Sequence, residues 1–471
     1  METDAELVWK SAVDLTAMMK TGQVSASEVL DAHLDHIAEV NPKVNAIVTI
    51  AAEHGRNMAA EADRRQAAGE ELGLLHGLPI AHKDLANTAG IRTTHGSPLM
   101  ADHVPTKNDL IVERAVDAGA VTMGKTNTPE FGAGSQTFNA VFGETVNPYD
   151  TTRTCGGSSG GAAVALATGM VPIADGSDMG GSLRNPASFC NVVGLRPSPG
   201  RVPAWPKANP WSYLSTEGPM ARSVDDCALL LAAQAGPDAR NPIALETPGI
   251  FFAPPIAEPT STLRVAWAPD LGGLPVHPDV TAALAHVPQV FDGLGHCVED
   301  ACPDLTEAGY VFDTLRAWSF ATSYSGLIEK FGDKMKETVR WNVRRGMEMP
   351  MAENMKAWKL RGELYQRSVT FFEDYDFLLC PVAQVPPFDV KTEYITEING
   401  VELQTYIEWM RIVTDVTIMN CPAISVPAGF TEDGLPIGLQ IVGPPRSDRA
   451  LLEIAKQFET ATNAGARRPV L

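Results

Sequence analysis

The sequence predicts an α/β fold, in which helices pack against a central sheet. From the N-terminal region to about Leu231, segments of helical periodicity alternate with short apolar runs, as expected for helices and strands stacked in layers. Farther along the chain, a strand, a helix and a second strand follow one another, which predicts a βαβ unit. Length alone would allow about three domains. Single domains of large α/β proteins are often longer than the average on which that number depends, and we expect one domain over residues 1–471.

The first half of the chain supplies helices and strands in turn. Ser25 and Glu28 have the spacing of a capping box, and the apolar residues after them predict a helix over residues 26–40. A short apolar run ends at Lys83 and predicts a buried strand. A helix over residues 110–118 and another strand-like run follow it.

The second half begins with an irregular connection, because five prolines lie between positions 242 and 259. A strand over residues 263–267, a helix over 280–294 and a strand over 296–298 then form the predicted βαβ unit. Residues 303–372 are predicted to be mainly helical and to border the substrate pocket. Their Met and Trp side chains would usually belong to the core, and they could instead wall an apolar pocket.

Composition narrows the class of protein. A formal charge of −20 without any block of Lys or Arg argues against a surface for nucleic acid or anionic membranes. The acidic start is unlike a secretory signal, and no apolar run reaches the ~18 residues of a membrane span, so we expect a cytoplasmic protein. Seven scattered cysteines do not suggest a disulfide framework. The histidines near Lys83 lack the spacing of metal ligands, and we expect no metal.

Two serines set in glycine carry the strongest functional signal. Ser158 lies in the run Cys155–Gly161, and Ser182 lies in the run Gly180–Arg184. Glycine lets backbone N–H groups approach a reacting oxygen closely, as acyl transfer requires. Together with Lys83, these serines are sufficient to build a nucleophile and its base.

These runs belong to an ordered set of motifs that resembles the amidase signature family over most of the chain. The set comprises Lys83–Asp84, Gly124–Phe131, Gly156–Gly161, Asp178–Arg184, Pro186–Ala187, Gly194–Pro197, Gly200–Val202, Cys421–Pro427 and Gly434–Gln440. The resemblance implies a mixed, twisted sheet flanked by helices on both faces. It also implies a serine hydrolase of linear amides, similar to stand-alone bacterial amidases, that uses no cofactor.

Carried over residue by residue, the family's Ser-cisSer-Lys triad falls on Ser182 as nucleophile, Ser158 as the serine that relays a proton, and Lys83 as base. The resemblance also implies a cis peptide bond between Gly157 and Ser158. A lysine has an ordinary pKa near ~10.4, so Lys83 must be desolvated or lie near positive charge to act as a base at neutral pH. Asp84 would oppose this effect, and we expect its side chain to point elsewhere.

The family's oxyanion hole and its supporting residues can be placed in the same way. The implied backbone N–H donors are those of Met179, Gly180, Gly181 and Ser182. Supporting roles fall on Gly157, Ser159, Asp178 and Arg184. For Asp178 and Arg184 we expect an ion pair beneath the loop, while Ser159 could be a hydrogen-bonding loop residue without a part in proton transfer.

Two motif matches point to other classes of protein. Residues 119–126 satisfy the phosphate-loop pattern of nucleotide-binding proteins. A phosphate loop follows a strand and opens a helix, whereas here a predicted helix precedes a strand-like run over residues 120–123. Residues 156–160 fit the nucleophile elbow of an α/β-hydrolase esterase, but that fold needs a histidine late in the chain and the last one is His296.

The sequence leaves the substrate open within a class of small molecules. Amides, aryl amides, esters and carbamates, including urethanes, all agree with the resemblance. The family also contains the amidase subunit of glutamyl-tRNA amidotransferases, which works with a partner that binds tRNA. This chain lacks the Tyr-Asp-Gly-x-Arg-Tyr-Gly run of that subunit, and its middle segment reads Val311–Trp318 instead. We therefore expect a stand-alone enzyme, monomeric or homodimeric, that does not bind nucleic acid directly.

Overall fold

The structure, a computed structural model, describes residues 4–471 and is built on one large mixed sheet. Its strands are β1 (Ile47–Ile50), β2 (Pro79–Lys83), β3 (Val121–Thr126), β4 (Phe138–Asn139), β5 (Gly143–Glu144), β6 (Ile173–Asp178), β7 (Val193–Arg196), β8 (Thr216–Ala221), β9 (Arg264–Trp267), β10 (Cys297–Asp300), β11 (Phe377–Pro381), β12 (Glu397–Ile398), β13 (Val401–Glu402), β14 (Ala423–Phe430) and β15 (Pro436–Val442).

Helices flank this sheet along the whole chain. They are α1 (Asp4–Leu7), α2 (Ala12–Lys20), α3 (Ala26–Val44), α4 (Ala52–Ala67), α5 (Leu110–Asp117), α6 (Gly160–Ala167), α7 (Arg184–Phe189), α8 (Val224–Gln234), α9 (Pro278–Leu284), α10 (Val287–Gly293), α11 (Ala308–Phe331), α12 (Glu337–Glu348), α13 (Met351–Asp374), α14 (Arg411–Ile418) and α15 (Asp448–Thr462). Among the helices of residues 4–471, none combines the length and hydropathy that crossing a bilayer requires.

The main sheet has eleven strands within the described residues, in the order β1-β3-β2-β6-β8-β7-β14-β15-β11-β9-β10. β2 lies parallel to both β3 and β6, and β9 lies parallel to both β10 and β11, while the remaining neighbours are antiparallel. Because β2 and β6 are parallel neighbours, their carboxyl ends meet at one edge of the sheet, which is where polar groups of α/β proteins usually converge. The predicted α/β fold with a mixed sheet is confirmed.

The predicted capping box is present at the start of α3. Ser25 Oγ accepts from the N–H of Glu28 at 3.1 Å, and the Glu28 carboxylate accepts from the N–H of Ser25 at 2.8 Å. The helix continues beyond the predicted end at residue 40 and ends at Val44. There Asn45 adopts the left-handed conformation, and its N–H closes the last turn on Asn41 O.

The predicted βαβ unit is also present, with one correction. β9 and β10 pair in parallel, as the sequence predicted. The single helix expected over residues 280–294 is instead two short helices, α9 and α10. Pro288 lies in the first turn of α10, and because proline has no N–H it cannot continue the hydrogen bonding of the preceding helix.

The segment that matched the phosphate-loop pattern is part of the sheet. Residues Val121–Thr126 form β3, paired on both sides by β1 and β2, and no helix opens at Lys125. The buried Lys125 ammonium donates to Thr88 Oγ1 at 2.7 Å and to the carbonyl oxygen of Ala86. Backbone N–H groups that are already paired in a ladder cannot cradle a phosphate, so the nucleotide-binding interpretation is wrong.

The region over residues 303–372 folds into α11, α12 and α13, with a short 3-10 turn at Gly332–Lys334. α11 and α12 approach each other closely at Gly346. A Cβ atom at that position would lie 2.1 Å from Ala317 O and 2.7 Å from the Ala321 side chain, both on α11. By contrast, a Cβ atom placed on Gly362 of α13 would meet no atom within 4 Å.

These two glycines give a matched test of the packing between α11 and α12. Replacing Gly346 by Ala should destabilise the protein by about 1–3 kcal/mol, because the added methyl group forces the two helices apart. Replacing Gly362 by Ala should stabilise it by about 0.5–1 kcal/mol, because alanine loses less backbone entropy in a helix. Denaturant midpoints of both variants measure the difference. Equal shifts in the same direction would contradict the close approach.

Candidate active site

Lys83 lies at the carboxyl end of β2, where every residue of the strand is buried. Its ammonium donates three hydrogen bonds to serine hydroxyls, to Ser158 Oγ at 2.7 Å, Ser159 Oγ at 2.9 Å and Ser177 Oγ at 3.2 Å. An ammonium group has three N–H donors, so this arrangement satisfies all of them without a carboxylate. Ser158 and Ser159 are among the predicted site residues, whereas Ser177, on the neighbouring strand β6, is not.

The surroundings of Lys83 change its acidity. Burial lowers the pKa of its ammonium to about 7, although the negative charges of Asp178, Asp175 and Glu217 act in the opposite direction. A lysine with this pKa is neutral in a large fraction of molecules at neutral pH. Desolvation therefore provides the lowered pKa that a lysine needs to act as a base at neutral pH.

Asp84, directly after Lys83, is turned away from the serines, as expected. Its carboxylate accepts from the backbone N–H of Thr94 at 3.1 Å and from the Thr94 hydroxyl at 2.5 Å. Asp175 instead supports the lysine, because its Oδ1 accepts from the backbone N–H of Lys83 at 2.9 Å and its Oδ2 is bonded to the His82 ring. His82 Nε2 contacts Thr122 Oγ1 at 3.1 Å. This histidine is thus a partner of Asp175.

The glycine-rich loop before α6 holds Ser158 against Lys83. The Gly157–Ser158 peptide bond is cis, as the resemblance implied. Two side chains fix the loop from below: Ser135 Oγ donates to Gly157 O at 2.7 Å, and the Thr137 hydroxyl donates to Gly156 O at 2.8 Å. At Gly160 a Cβ atom would lie 2.2 Å from Thr137 Oγ1, so only glycine permits this approach.

Asp178 organises the loop that carries Ser182. Its carboxylate accepts from the backbone N–H of Gly181 at 2.9 Å and of Leu183 at 3.1 Å, which are the two residues on either side of Ser182. It also forms the expected ion pair with Arg184, with Nε and Nη2 at 3.0 and 2.9 Å. Arg196 lies on the other side of the carboxylate, at 3.4 Å from Oδ1.

These partners decide the charge of Asp178. Burial alone would raise the pKa of its carboxyl group, but the charges and hydrogen bonds of Arg184, the charge of Arg196 and the N–H of Gly181 hold it well below its usual range. The carboxylate is therefore a permanent anion that fixes both neighbours of Ser182. Arg184 is itself fixed by Gln440 Oε1 at 2.6 Å and Thr417 Oγ1 at 2.9 Å.

The predicted oxyanion donors differ in availability. The N–H of Gly181 is engaged with Asp178, so its role as a free donor does not agree with this geometry. Within residues 4–471, no backbone acceptor takes the N–H groups of Met179, Gly180 and Ser182. The physical reason lies in Asp178, whose carboxylate accepts the N–H of the residue three positions after it and so takes one of the four predicted donors.

Ser158 and Ser182 open into the same pocket. Its wall contains Leu85, Phe131, Gly132, Ser158, Ser177, Met179, Ser182, Ser215, Arg316, Ser319, Phe320, Ser323 and Tyr324. Ser158 is buried, whereas Ser182 is partly exposed to the pocket. Five of these residues lie on α11, from Arg316 to Tyr324, and their side chains are both aromatic and polar.

The nucleophile-elbow alternative has no support from the structure. The run over residues 156–160 follows irregular chain, in which Val146 pairs with Thr154 and Arg153 with Asp389 as isolated bridges, and no histidine is among the described residues that line the pocket. Among the described residues, no group of three or more His, Cys, Asp or Glu side chains is arranged to hold a metal ion. The basic side chain that contacts Ser158 Oγ is that of Lys83.

Comparison with known proteins gives a consistent picture. The family model described as Amidase matches residues 28–452. An acylamidase from Rhodococcus erythropolis is 35% identical over 482 aligned residues, which cover 99% of this chain and 98% of that protein. A glutamyl-tRNA(Gln) amidotransferase subunit from Thermosynechococcus vestitus is 34% identical over 95% of this chain and 97% of that protein.

A solved structure agrees with these relatives. A bacterial aryl acylamidase of the amidase signature family superimposes with a TM-score of 0.90 at 27% identity, covering 98% of this chain and 99% of that one. The match therefore includes the whole sheet and the helices around it. From the family match over residues 28–452, the near-complete alignment with an acylamidase and this shared fold, we conclude that the chain belongs to the amidase signature family of hydrolases.

Proposed function

We propose that this protein hydrolyses carbon–nitrogen amide bonds through an acyl-enzyme on Ser182, with Ser158 and Lys83 moving the proton. One observation carries the proposal: Lys83 Nζ lies 2.7 Å from Ser158 Oγ, beside a pocket whose wall also contains Ser182. A base, a hydroxyl that can both donate and accept, and a second hydroxyl are the groups that serine-based acyl transfer needs.

The reaction follows from this arrangement. Neutral Lys83 accepts the proton of Ser158, which accepts the proton of Ser182 as Ser182 Oγ bonds to the substrate carbonyl carbon. The carbonyl electron pair moves to oxygen, and its return breaks the carbon–nitrogen bond. The amine leaves with the proton that Lys83 returns through Ser158. Water then attacks the acyl ester by the same proton path and frees Ser182.

For the oxyanion we assign the N–H groups of Met179, Gly180 and Ser182. Gly181 has a positioning role in this proposal, because its N–H on Asp178 holds the loop in the shape that aims its neighbours. Ser159 and Ser177 are also positioning residues, since their hydroxyls fix the direction of the Lys83 amine toward Ser158. Asp178 and Arg184 support the loop from beneath.

A preference for aryl substrates is supported by the pocket and by the relatives. Phe131, Phe320 and Tyr324 present aromatic surface to the site, which suits aryl amides and the corresponding carbamates or esters. The acylamidase and the aryl acylamidase named above agree with this choice. The amidotransferase subunit stays the second candidate, because its identity to this chain is nearly the same.

Removal of Ser182 tests the nucleophile. Ser182→Ala should lower kcat for an aryl amide by at least about 10⁴-fold, as is typical when a serine nucleophile is lost. The control is Ser261→Ala, a serine exposed far along the chain. A fluorophosphonate should label Ser182 in the protein purified alone. Labelling of Ser158 instead would reassign the nucleophile, and activity that appears only with a partner would favour the amidotransferase subunit.

Removal of Lys83 tests the proton path. Lys83→Met should reduce cleavage of an anilide at least about tenfold more than cleavage of a matched nitrophenyl ester, because only the amine leaving group needs a proton. Lys125→Met is a useful control, since Lys125 is also buried but donates to Thr88 and Ala86. Equal losses on both substrates in Lys83→Met would show that the lysine only holds the loop.

The pH dependence follows from the pKa of Lys83. Since only the neutral amine can accept a proton, kcat/KM should rise about tenfold per pH unit up to about 7 and level off above it. Of the acids near Lys83, Asp175 and Asp178 have lowered pKa values, whereas burial raises the pKa of Glu217 to about 8.

Glu217 therefore supplies the control for this profile. It lines a second cavity together with Lys83 and Asp175, and once ionised it favours the ammonium form of Lys83. Glu217→Gln should keep the rise and leave its midpoint near 7, because a carboxyl group whose pKa is about 8 carries little charge at that pH. Loss of the rise in Glu217→Gln would identify Glu217, and not Lys83, as the titrating group.

A further inference from the structure

Arg316 is a buried cation in the pocket wall that has no counter-ion. Its side chain extends from α11 and is 5% exposed. The pocket wall contains no aspartate or glutamate, and no carboxylate of the described residues lies within salt-bridge distance of Arg316. Arg184 and Arg201, which are equally buried, each have an aspartate partner.

The guanidinium group is held firmly by neutral partners. Its Nε and Nη2 donate to the Tyr406 hydroxyl at 3.3 and 2.9 Å, and its Nη1 donates to Met179 Sδ at 3.4 Å. The Phe320 ring lies 4.6 Å from its central carbon. Tyr406 is fixed in turn by Asn342 Nδ2 at 2.6 Å. These contacts set the orientation of Arg316 but do not neutralise its charge.

Part of its hydrogen-bonding capacity also stays open. A guanidinium has five N–H donors in a planar fork, whereas the contacts above use three, one of them on a thioether sulfur that accepts weakly. Burying a charge without an opposite charge is costly, and an anionic ligand in the pocket would supply the missing charge. Arg316 lines the pocket that Ser158 and Ser182 share.

Two serines on α11 lie on the same helix face as Arg316. Ser319 and Ser323 lie three and seven positions after Arg316 on α11, which places the three side chains on one face of the helix, and all three line the pocket. The guanidinium and two hydroxyls offer donors to an acceptor-rich group. Leu85, Phe131 and Met179, from other segments of the wall, offer apolar surface to the rest of a small molecule.

We propose that Arg316 binds a carboxylate of the substrate, so that this enzyme prefers amides carrying an anionic group. The planar fork of arginine matches the two oxygens of a carboxylate and gives a charge-assisted pair. This inference rests on the proposed function, because it places the anion in the pocket where Ser182 reacts. Arg316 is thus a specificity-determining residue, and it is separate from the groups that move the proton.

Paired substrates that differ only in charge test the proposal. For the acyl side, glutaryl 4-nitroanilide is compared with pentanoyl 4-nitroanilide, and for the amine side 4-acetamidobenzoate is compared with 4-methylacetanilide. The wild-type protein should prefer the anionic member of one pair by about tenfold to a hundredfold in kcat/KM, as expected for a hydrogen-bonded charge pair. The side that shows the preference locates Arg316 relative to the scissile bond.

Variants assign this preference to Arg316. Arg316→Met should remove the preference and leave the neutral substrate within about threefold of wild type, whereas Arg316→Lys should keep part of it because it keeps the charge. Calorimetric binding of the same four compounds to Ser182→Ala protein gives a second readout that needs no turnover. It should show tighter binding of one anion than of its neutral partner.

The outcomes separate this inference from the proposed function. Wild-type protein that cleaves and binds both members of each pair equally well would overturn the role of Arg316 and leave the Ser182 mechanism intact. Equal losses for charged and neutral substrates in Arg316→Met would show a purely structural role. An anion preference in binding, combined with unchanged hydrolysis in Ser182→Ala, would support the anion site and overturn the proposed nucleophile.

Discussion

The burial of the Lys83 amine among three serine hydroxyls is the interaction on which the site depends. An amine at the end of a buried strand must find three acceptors or lose hydrogen bonds that water would have provided. Those acceptors come from the glycine loop, through Ser158 and Ser159, and from β6, through Ser177. The same burial lowers the pKa of Lys83, so one structural fact both assembles the loop and prepares the base.

Charge compensation separates the parts of the site that must stay fixed from the part that meets the substrate. Asp178 is surrounded by Arg184 and Arg196, and Asp175 by His82 and the N–H of Lys83. Within residues 4–471 these acids are fully partnered, and they hold the segments before and after each reacting group. A ligand could add little to such closed pairs. Arg316, a cation in the pocket wall without a partner acid among the described residues, differs from these pairs, because an opposite charge reaches it only when an anionic ligand binds.

The sequence predicted the parts of this structure that are written in local patterns. The α3 capping box, the βαβ strands and the ordered motifs around Lys83, Ser158 and Ser182 depend on residues close together in the chain, where spacing translates directly into geometry. The division of one predicted helix into α9 and α10 was missed although Pro288 carried the signal. Ser177 was missed as well, although it directly precedes the predicted supporting residue Asp178; it lies on β6 and accepts from the lysine of the parallel neighbour β2.

Other features depend on contacts between distant segments, and no local pattern announces them. The engagement of the Gly181 N–H by Asp178 requires the carboxylate to fold back over its own loop, and a glycine motif looks the same whether its N–H groups are free or occupied. Arg316 sits in an ordinary helical sequence, and its meaning comes from Tyr406, Met179 and the absence of an acid in the surrounding wall of described residues.

The proposed reacting groups and part of the pocket wall lie on different elements, and this separation explains why chemistry and specificity can vary independently in such a fold. The groups proposed to break the bond lie on β2, β6 and the loops beside them, inside the motifs that define the family. Part of the wall that would select a substrate is supplied by α11, which lies outside those motifs. An acylamidase and a tRNA amidotransferase subunit can therefore be almost equally identical to this chain while acting in different reactions. Overall identity mostly measures the shared fold and motif residues, whereas the proposed selection of a substrate depends on a few side chains such as Arg316.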